Sequence, residues 1–382
     1  MMVKLTFPRS RWSGSKHFWK LPLFLGFCLA SSLSLSYGAS ESLRTLRNTE
    51  NVIAVDNVCA WPSLTLLSDG TIVAALHNRP SHGMMEGDVD CYASSDGGWT
   101  WEYRGTPAPH DPDAIRMNHA FGTAHDGSLV LLCSGWGGKE FREFTLPVMV
   151  SRSADGGRTW DRSGVVKLTP GMPDLIPYGS IIRVNSGLLA VSMYDGTSSQ
   201  AYNRAYVFFS EDDGRSWSNP CIIGDEGVFT NPAKGNFNET SLLTAGRSGF
   251  MAACRTFTRQ AFLALLFSDD RGRTWRIPDE MTGRGLTGFS EHPGHLLRLH
   301  DGRILLTYGI RHGDHGIGGR ISEDDGKTWS EPFIVIAYGG NDGGYPSSVE
   351  LKDGTIITAY YSDANRNHPR YHMGAVRWKI PR

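Results

Sequence analysis

The sequence predicts an all-β fold, a six-bladed β-propeller, because two internal repeats alternate along the chain. The first repeat is the octapeptide Ser-x-Asp-x-Gly-x-Thr/Ser-Trp, here called the Asp box. Successive boxes begin between 54 and 59 residues apart. A nearly constant period of this size is typical of radial or stacked repeats. The five Asp boxes begin at Ser94, Ser153, Ser210, Ser268 and Ser322.

Each Asp box is predicted to be a hairpin turn. Its Asp and Gly supply the side-chain-to-backbone hydrogen bonds and the positive φ that a tight turn needs. Its final Trp supplies a large apolar surface that can pack between repeats. We therefore interpret the boxes as structural elements that do not touch substrate.

The second repeat is an apolar strand, a Gly-containing turn and a returning apolar strand. Short apolar runs joined by Asp-Gly turns are typical of β-hairpins. Units of about 55 residues that each contain such a hairpin fit the four-stranded blades of a propeller. The last unit has no box, and a strand at 51–55 is predicted to complete it. The six hairpins span 61–73, 118–131, 178–191, 239–252, 293–306 and 345–358.

The first 40 residues have the pattern of a signal peptide. Lys16 and Lys20 precede an apolar run over 21–35, and Ser36 and Gly38 are the small residues that a signal peptidase requires. Residues 1–40 are thus predicted to be removed, 41–50 to form a short linker and 51–382 the propeller. We expect the protein to be secreted or periplasmic, without stable membrane insertion after cleavage.

Composition narrows the class of partner. The net charge of −1 argues against nucleic acid, and 45 glycines with 11 tryptophans suit a β protein with an ample core. The cysteines after the signal peptide lack CxxC spacing, so neither a disulfide framework nor a zinc site is predicted. Most are expected to be small core residues, and the alternative is that two of them form one disulfide. No cofactor and no catalytic metal are expected. These cysteines are Cys59, Cys91, Cys133, Cys221 and Cys254.

Chemistry is expected where the innermost strands begin, because in a propeller these starts converge at one end of the central channel. Each start carries a polar or aromatic side chain that could line a pocket there. The residues at the six starts are Trp61, His119, Tyr178, Glu239, His292 and Tyr345.

Three arginines are predicted to reach the same end of the channel. Residues of a tight hairpin lie side by side when their numbers sum to twice the turn centre. This rule places Arg79 beside position 60, Arg255 beside Glu239 and Arg311 beside His292. Arginine forks bind carboxylates through paired hydrogen bonds, so the three together indicate an acidic sugar as substrate. The alternative is that each arginine pairs with a carboxylate of the protein.

Tyr345 and Glu239 are predicted to form an activated nucleophile. A phenol has a pKa near 10, so it needs a carboxylate to take its proton and cations to stabilise the phenolate. A neutral tyrosine also avoids the repulsion that an Asp or Glu nucleophile would meet at an anomeric carbon bearing a carboxylate. The alternative is a packing role for Tyr345 at the start of a strand.

An acid for the leaving oxygen is expected in the loop over 79–90, which follows the first hairpin. Glu86 and Asp88 are the candidates, whereas Asp90 is predicted to lie in the next strand. His82, His119 and Tyr178 are further candidates for contacting substrate hydroxyls or moving protons. A solvated loop carboxylate without a catalytic role is the alternative for Glu86 and Asp88.

These residues resemble the sialidase superfamily, six-bladed propellers with Asp boxes, over residues 51–382. Asn238-Glu239 followed by Cys254-Arg255 is similar to the stretch that carries a glutamate and the second arginine of a triad. Gly344-Tyr345 is similar to the stretch with the nucleophilic tyrosine, and Tyr308-Gly-Ile-Arg311 to the one with the third arginine. The departure is Ala60-Trp61-Pro62, where sialidases have Arg-Ile-Pro. The pairing rule makes Arg79 the candidate replacement.

Three functions follow from this resemblance and its departure. The first is an exported retaining glycoside hydrolase that releases terminal sialic acid or a related acidic sugar. The second is a hydrolase or lyase for another acidic, uronate-containing polysaccharide, with His119 and Tyr178 as base and acid. The third is a propeller that binds carbohydrate without catalysis. All three imply an acidic glycan as the partner.

Overall fold

The computed structural model describes residues 44–140, 142–184, 187–195, 204–224, 237–246, 249–256, 262–278, 286–288 and 290–380. This part of the chain is all-β and contains no helix, so it contains no helix that could span a membrane. The predicted signal peptide over 1–40 lies outside it. In chain order its strands begin with β1 (Arg44–Thr45), β2 (Glu50–Asp56), β3 (Ser63–Leu66), β4 (Ile72–His77), β5 (Val89–Ser94), β6 (Glu102–Ala108), β7 (Ala114–Thr123), β8 (Leu129–Gly137), β9 (Phe144–Thr145), β10 (Met149–Ser153), β11 (Asp161–Val166) and β12 (Leu175–Val184). They continue with β13 (Leu188–Asp195), β14 (Ala205–Ser210), β15 (Ser216–Ile223), β16 (Phe237–Ala245), β17 (Gly249–Thr256), β18 (Leu263–Ser268), β19 (Glu291–Arg298), β20 (Ile304–Ile310), β21 (Gly316–Ser322), β22 (Phe333–Ala337), β23 (Gly343–Glu350), β24 (Ile356–Ser362) and β25 (His372–Trp378).

The six hairpins predicted from the second repeat are all present as antiparallel pairs. The N-terminal strand was also predicted correctly, since β2 pairs antiparallel with β25 over Glu50 to Asp56 and joins the sheet of the last hairpin. Asp90 lies in β5, as expected. The hairpins are β3–β4, β7–β8, β12–β13, β16–β17, β19–β20 and β23–β24.

The grouping of strands into sheets departs from the prediction of separate four-stranded units. The described strands form five sheets, because β12 pairs in parallel with β7 and β11 with β15, which makes one nine-stranded sheet. Gly122 on β7 allows the first of these pairings: a Cβ there would lie 2.4 Å from the carbonyl oxygen of Ile181 on β12. Because position 122 is a glycine, the backbones of two neighbouring repeats can approach closely enough to pair.

The Asp boxes form the turns that the sequence predicts. In the box at Ser153, the Asp155 carboxylate accepts the Ser153 hydroxyl at 2.7 Å, the Thr159 hydroxyl at 2.7 Å and the Thr159 amide at 2.9 Å. The Trp160 indole N–H donates to the carbonyl of Gly157 at 2.9 Å. The other four boxes repeat the Ser-to-Asp, Thr/Ser-to-Asp and Trp-to-Gly bonds.

Apolar side chains fill the spaces between neighbouring sheet faces. Trp217, which ends the third box, is fully buried and packs in a cluster with Leu132, Val191 and Phe208. The five cysteines after the predicted signal peptide are free, and four of them are buried, so the disulfide that the sequence left open does not form here. They act as small core residues.

Candidate active site

Tyr345, Glu239 and Arg255 form a contiguous hydrogen-bonded group contributed by three strands, β23, β16 and β17. The Tyr345 hydroxyl donates to Glu239 Oε1 at 2.6 Å. Arg255 Nη1 donates to Glu239 Oε2 at 2.5 Å and lies 3.2 Å from the Tyr345 hydroxyl. The sequence-predicted nucleophile, its base and one arginine are thus brought together.

Local backbone geometry explains how these side chains meet. The register of β16 and β17 pairs Thr240 with Cys254, which places Glu239 opposite Arg255 as the pairing rule predicts. Tyr345 has φ of 55°, a left-handed value that a tyrosine rarely adopts, at a register shift near the start of β23. Backbone strain of this kind is concentrated at functional sites and costs about 1–3 kcal/mol. A Cβ at Gly344, which has φ of 110°, would lie 3.3 Å from the Cα of Gly309, so a glycine suits this position.

Tyr345 is protonated in the resting site. Burial raises the pKa of the Tyr345 phenol and the negative charge of Glu239 raises it further, while Arg255 and Arg311 lower it in part. The phenol is therefore the donor in its bond to Glu239. Burial lowers the pKa of Arg255, but the charge of Glu239, the charge of Tyr345 and the hydrogen bond to Glu239 together raise it above its usual value, so the guanidinium stays cationic.

Arg311 lies over the face of Tyr345, with its Cζ 5.8 Å from the ring centroid, and Nη2 contacts Asp342 Oδ1 at 3.3 Å. Asp342 also accepts hydrogen bonds from Tyr361 at 2.9 Å and Tyr371 at 2.9 Å, and lies 2.7 Å from His82 Nδ1. Burial raises the pKa of Asp342, but these donors lower it to about 2. Asp342 is therefore an ionised partner of Arg311.

Aromatic rings enclose the Tyr345 phenol. Trp61 and Tyr178 pack edge-to-face against Tyr345, with centroids 6.4 and 6.3 Å away, and Tyr361 lies at 5.7 Å. The predicted pocket residues Trp61 and Tyr178 are thus next to Tyr345. An aromatic and largely buried wall of this kind excludes water and can stack on the apolar face of a sugar ring.

The predicted position of Arg79 is wrong. The Cys59 amide donates to the carbonyl of Arg79 at 2.6 Å and the hairpin pairs Ser63 with Ala75, so Arg79 lies beside Cys59 rather than Ala60. Its side chain is exposed, and Nε donates to the backbone carbonyl of Glu86 at 3.0 Å. A one-residue slip exchanges the faces of a strand, and Arg79 joins a loop bond instead of the Tyr345 group.

Asp88 and Glu86 lie together around His110. Asp88 Oδ1 accepts from the His110 amide at 2.8 Å and lies 2.6 Å from His110 Nδ1, while Glu86 Oε1 accepts from the Asp113 amide at 2.8 Å. Burial raises the pKa of Asp88, but the hydrogen bonds from His110 lower it below its usual value. Neither contacts Tyr345, Glu239 or Arg255 within the described residues, and an acid role for either stays a prediction.

His119 and His292 take different positions. His119 is buried, and its two ring nitrogens face the carbonyls of Met117 and Ala75 at 3.0 and 3.2 Å, so it is a core residue and does not line the pocket. Burial lowers the pKa of His119 to about 4. His292 is also buried, and burial together with the charges of Arg255 and Arg311 lowers its pKa to about 2.

Sequence reasoning missed Asp342, Tyr361 and Tyr371. Asp342 lies three residues before Tyr345, and that proximity was its only signal in the sequence. Cys59, His82 and Asp342 form the one group in the described residues that could hold a metal ion, with one potential ligand atom from each within 4.8 Å of the others. The oxygens of Asp342 already accept bonds from Tyr361 and Tyr371, so a metal would have to compete with them.

Most of the chain matches a known protein family. The family model described as the BNR repeat-like domain matches residues 70–358. The chain belongs to this BNR repeat-like family. Relatives of this chain include a sialidase of Clostridium perfringens. The two are 24% identical over 268 residues, which cover 64% of this chain and 67% of the sialidase. A sialidase of Bacteroides fragilis (strain YCH46) is 24% identical over 352 residues, which cover 80% of this chain and 61% of that one.

Several solved structures resemble this chain in fold. A protein of unknown function from Dyadobacter fermentans DSM 18053 superposes with a TM-score of 0.72 at 22% identity, covering 88% of this chain and all of that one. The Hadza microbial sialidase Hz136 superposes with a TM-score of 0.63 at 19% identity, covering 85% of this chain and 66% of that one. This chain therefore has a sialidase-like fold.

Proposed function

We propose that this protein is a retaining glycoside hydrolase of sialidase type that releases terminal sialic acid or a related acidic sugar. The observation that carries the proposal is the 2.6 Å hydrogen bond from the Tyr345 hydroxyl to Glu239, with Arg255 bonded to the same carboxylate at 2.5 Å. The match to the BNR repeat-like family and the similarity to two bacterial sialidases support this proposal.

The reaction begins at the Tyr345 hydroxyl. Its oxygen attacks the anomeric carbon while its proton passes to Glu239, and the glycosidic bond breaks with its electron pair going to the leaving oxygen. Arg255 and Arg311 stabilise the phenolate and hold the carboxylate of the sugar acid. The leaving oxygen takes a proton from a general acid. Water then attacks the anomeric carbon as the bond from that carbon to the Tyr345 oxygen breaks, the extra proton of the water returns to the group that acted as acid, and the phenolate takes its proton back from Glu239.

We infer that the six hairpin repeats are six blades of one propeller, in which the parallel pairing of β7 with β12 links two blades. On this view the site lies at the channel end where the hairpins begin. The signal-peptide pattern over 1–40 supports export to the periplasm or the medium. An acidic glycan outside the cytoplasm is the expected partner.

A fluorogenic aryl sialoside tests the proposal. The wild-type protein should release the fluorophore, and Tyr345→Phe should lower kcat by about 10³-fold or more, since the nucleophilic oxygen is lost. Tyr103→Phe is the matched control, because it removes the hydroxyl of an exposed tyrosine that contacts Thr106. Full activity of Tyr345→Phe would reject the assigned nucleophile.

A different acidic sugar is the second candidate, and the position of Arg79 favours it. With Arg79 exposed, the described site offers two arginines rather than three, each next to a carboxylate of the protein. Two arginines that already contact carboxylates of the protein bind a substrate carboxylate less tightly than three arginines would. This suits an acidic sugar other than sialic acid. Release of reducing sugar from uronate-rich polysaccharides, with no turnover of sialosides, would favour this candidate.

A further inference from the structure

His82 and Asp342 form a second pair of polar groups beside the nucleophile. His82 lies in the loop between β4 and β5, and its side chain is 41% exposed. Its Nδ1 is 2.7 Å from Asp342 Oδ2. The edge of Trp61 packs against the imidazole with ring centroids 5.0 Å apart, which fixes the plane of the ring.

The protonation state of Asp342 determines which histidine nitrogen carries the proton. Asp342 is ionised, because the groups that surround it hold its pKa at about 2 although burial raises it. An ionised carboxylate only accepts hydrogen bonds, so His82 Nδ1 must be the donor. In the neutral ring Nε2 is then the free acceptor, and it makes no hydrogen bond to any residue of the described chain.

His82 shares its neighbours with Tyr345. Trp61 contacts both rings, with centroids 5.0 Å from His82 and 6.4 Å from Tyr345. Tyr361 also contacts both, at 6.5 and 5.7 Å. Arg311 lies over Tyr345 and contacts the carboxylate that holds His82. The imidazole therefore belongs to the same aromatic cluster as the Tyr345 phenol.

The two carboxylates expected from the sequence are less suited to this task. An acid must carry a proton when the glycosidic bond breaks, whereas hydrogen bonds from His110 keep Asp88 ionised. Glu86 is 55% exposed and bonded to the Asp113 amide. Histidine, in contrast, changes its protonation between pH 5 and 8 and serves readily as both acid and base.

We propose that His82, oriented by Asp342, is the acid/base of the glycosidase reaction. This inference rests on the proposed function. In the first step the protonated ring gives its Nε2 proton to the leaving oxygen as the glycosidic C–O bond breaks and the bond from the Tyr345 oxygen forms. In the second step neutral Nε2 takes a proton from the attacking water, and the electron pair of the Tyr345–carbon bond returns to the phenolate oxygen.

Two substrates with different leaving groups separate this role from a structural one. The aryl group of an aryl sialoside leaves without protonation, whereas the oligosaccharide that leaves from a natural sialyl-oligosaccharide must be protonated by an acid. The parameter is kcat/KM, which reports the first irreversible step. For His82→Ala and for Asp342→Asn, kcat/KM on the natural substrate should fall by about 10²–10⁴-fold, and on the aryl substrate by less than about 10-fold.

The pH profile gives a second readout. The profiles of wild type and His82→Ala on the natural substrate should differ in shape, because the variant lacks the acid that protonates the leaving oxygen. The titratable and charged groups that face His82 are Asp342, Arg311, Cys59, Tyr361 and Tyr371. His300→Ala is the matched control, because His300 is an exposed histidine that also lies next to a carboxylate, 3.5 Å from Glu350.

Three results would overturn the inference. Equal loss on both substrates for His82→Ala would make the residue structural, and unchanged kcat/KM on the natural substrate would make it irrelevant. Stoichiometric zinc, bound by the wild type and lost from both Cys59→Ala and His82→Ala, would make the pair part of a metal site. In these cases turnover of the aryl sialoside still stands for the proposed function, whereas a wild type inactive on every glycoside removes both.

Discussion

At the scale of the residue, the chemistry of the site depends on which side chains the carboxylates of Glu239 and Asp342 contact. Glu239 contacts both Tyr345 and Arg255, so in the proposed reaction a single carboxylate is the proton acceptor of Tyr345 and the counter-ion of an arginine. Asp342 likewise contacts two groups, as hydrogen-bond acceptor for His82 and counter-ion of Arg311. The site therefore consists of two carboxylate-centred groups around one pair of aromatic rings, Tyr345 and Trp61.

Glu239→Gln keeps the size of the side chain and removes its basicity. We expect kcat to fall by about 10²–10⁴-fold, because the Tyr345 proton then has no acceptor. Hydrolysis of an aryl sialoside is the measurement. Glu291→Gln is the control, since Glu291 also lies at a strand start but contacts Gly288 and His312. A Glu239→Gln variant as active as wild type would contradict the assigned base.

Register decides which side chains meet at the scale of the hairpin element. The pairing rule is correct for Glu239 and Arg255 and fails for Arg79, although both hairpins were predicted with the right strands. It also fails for Arg311, which lies beside Ser290 rather than His292, because Glu291 pairs with Ile310 and the register of β19 and β20 shifts there. The first turn is centred at 69, half a residue from the 69.5 assumed, as the pairing of Ser63 with Ala75 indicates. A shift of half a residue in the turn centre moves every pairing partner along the hairpin by one full residue.

Arg79 and Arg255 should therefore differ in their effect on binding. Arg79→Met should change KM for an acidic glycoside by less than about 2-fold, as its side chain bonds a loop carbonyl. Arg255→Met should raise KM by about 10-fold or more through loss of a charged contact. Steady-state kinetics of the two variants measure both. A large effect at Arg79 would return it to the anion clamp.

The Asp boxes permit a test of the turn element within a single octapeptide. Asp212→Ala should lower Tm by a few degrees, because its carboxylate accepts bonds from Ser210 at 2.9 Å and from the amide and hydroxyl of Ser216 at 2.7 and 2.6 Å. Glu211→Ala is the adjacent exposed control and should leave Tm unchanged. Calorimetry is the measurement, and equal melting of both variants would contradict the role of the box.

Much of the fold and part of the site could be predicted from the sequence, for physical reasons. The repeats gave the strands and turns because turn chemistry and alternating apolar residues are local properties. The group around Asp342 could not be predicted, since its partners His82, Arg311, Tyr361 and Tyr371 come from different strands and loops. His119 failed because position at a strand start does not determine which way a ring turns.

Buried histidines make acid sensitivity a property of the whole molecule. Burial lowers the pKa of His77, His119 and His295 from the ordinary 6.5 to about 4. Between pH 6.5 and about 4 the unfolded chain thus binds more protons at these sites than the folded chain, so stability falls as pH falls through that window.

Each such histidine contributes a slope of about 1.4 kcal/mol per pH unit inside the window. His119→Gln should therefore flatten the dependence of the unfolding free energy on pH, and the exposed His300→Gln should not. Urea unfolding at a series of pH values provides the comparison. Parallel curves for wild type and His119→Gln would show that this ring titrates alike in both states.

The pairing of β2 with β25 has a consequence for biosynthesis. In the described strands β2 has β25 as its only sheet neighbour, and Glu50 and Arg377, which are 327 positions apart, lie side by side. A nascent chain therefore holds both β2 and the outer edge of β24 unpaired until the strand over His372–Trp378 has been made. During that interval the two free edges can pair with other chains, so aggregation during synthesis should depend on how fast this last strand arrives.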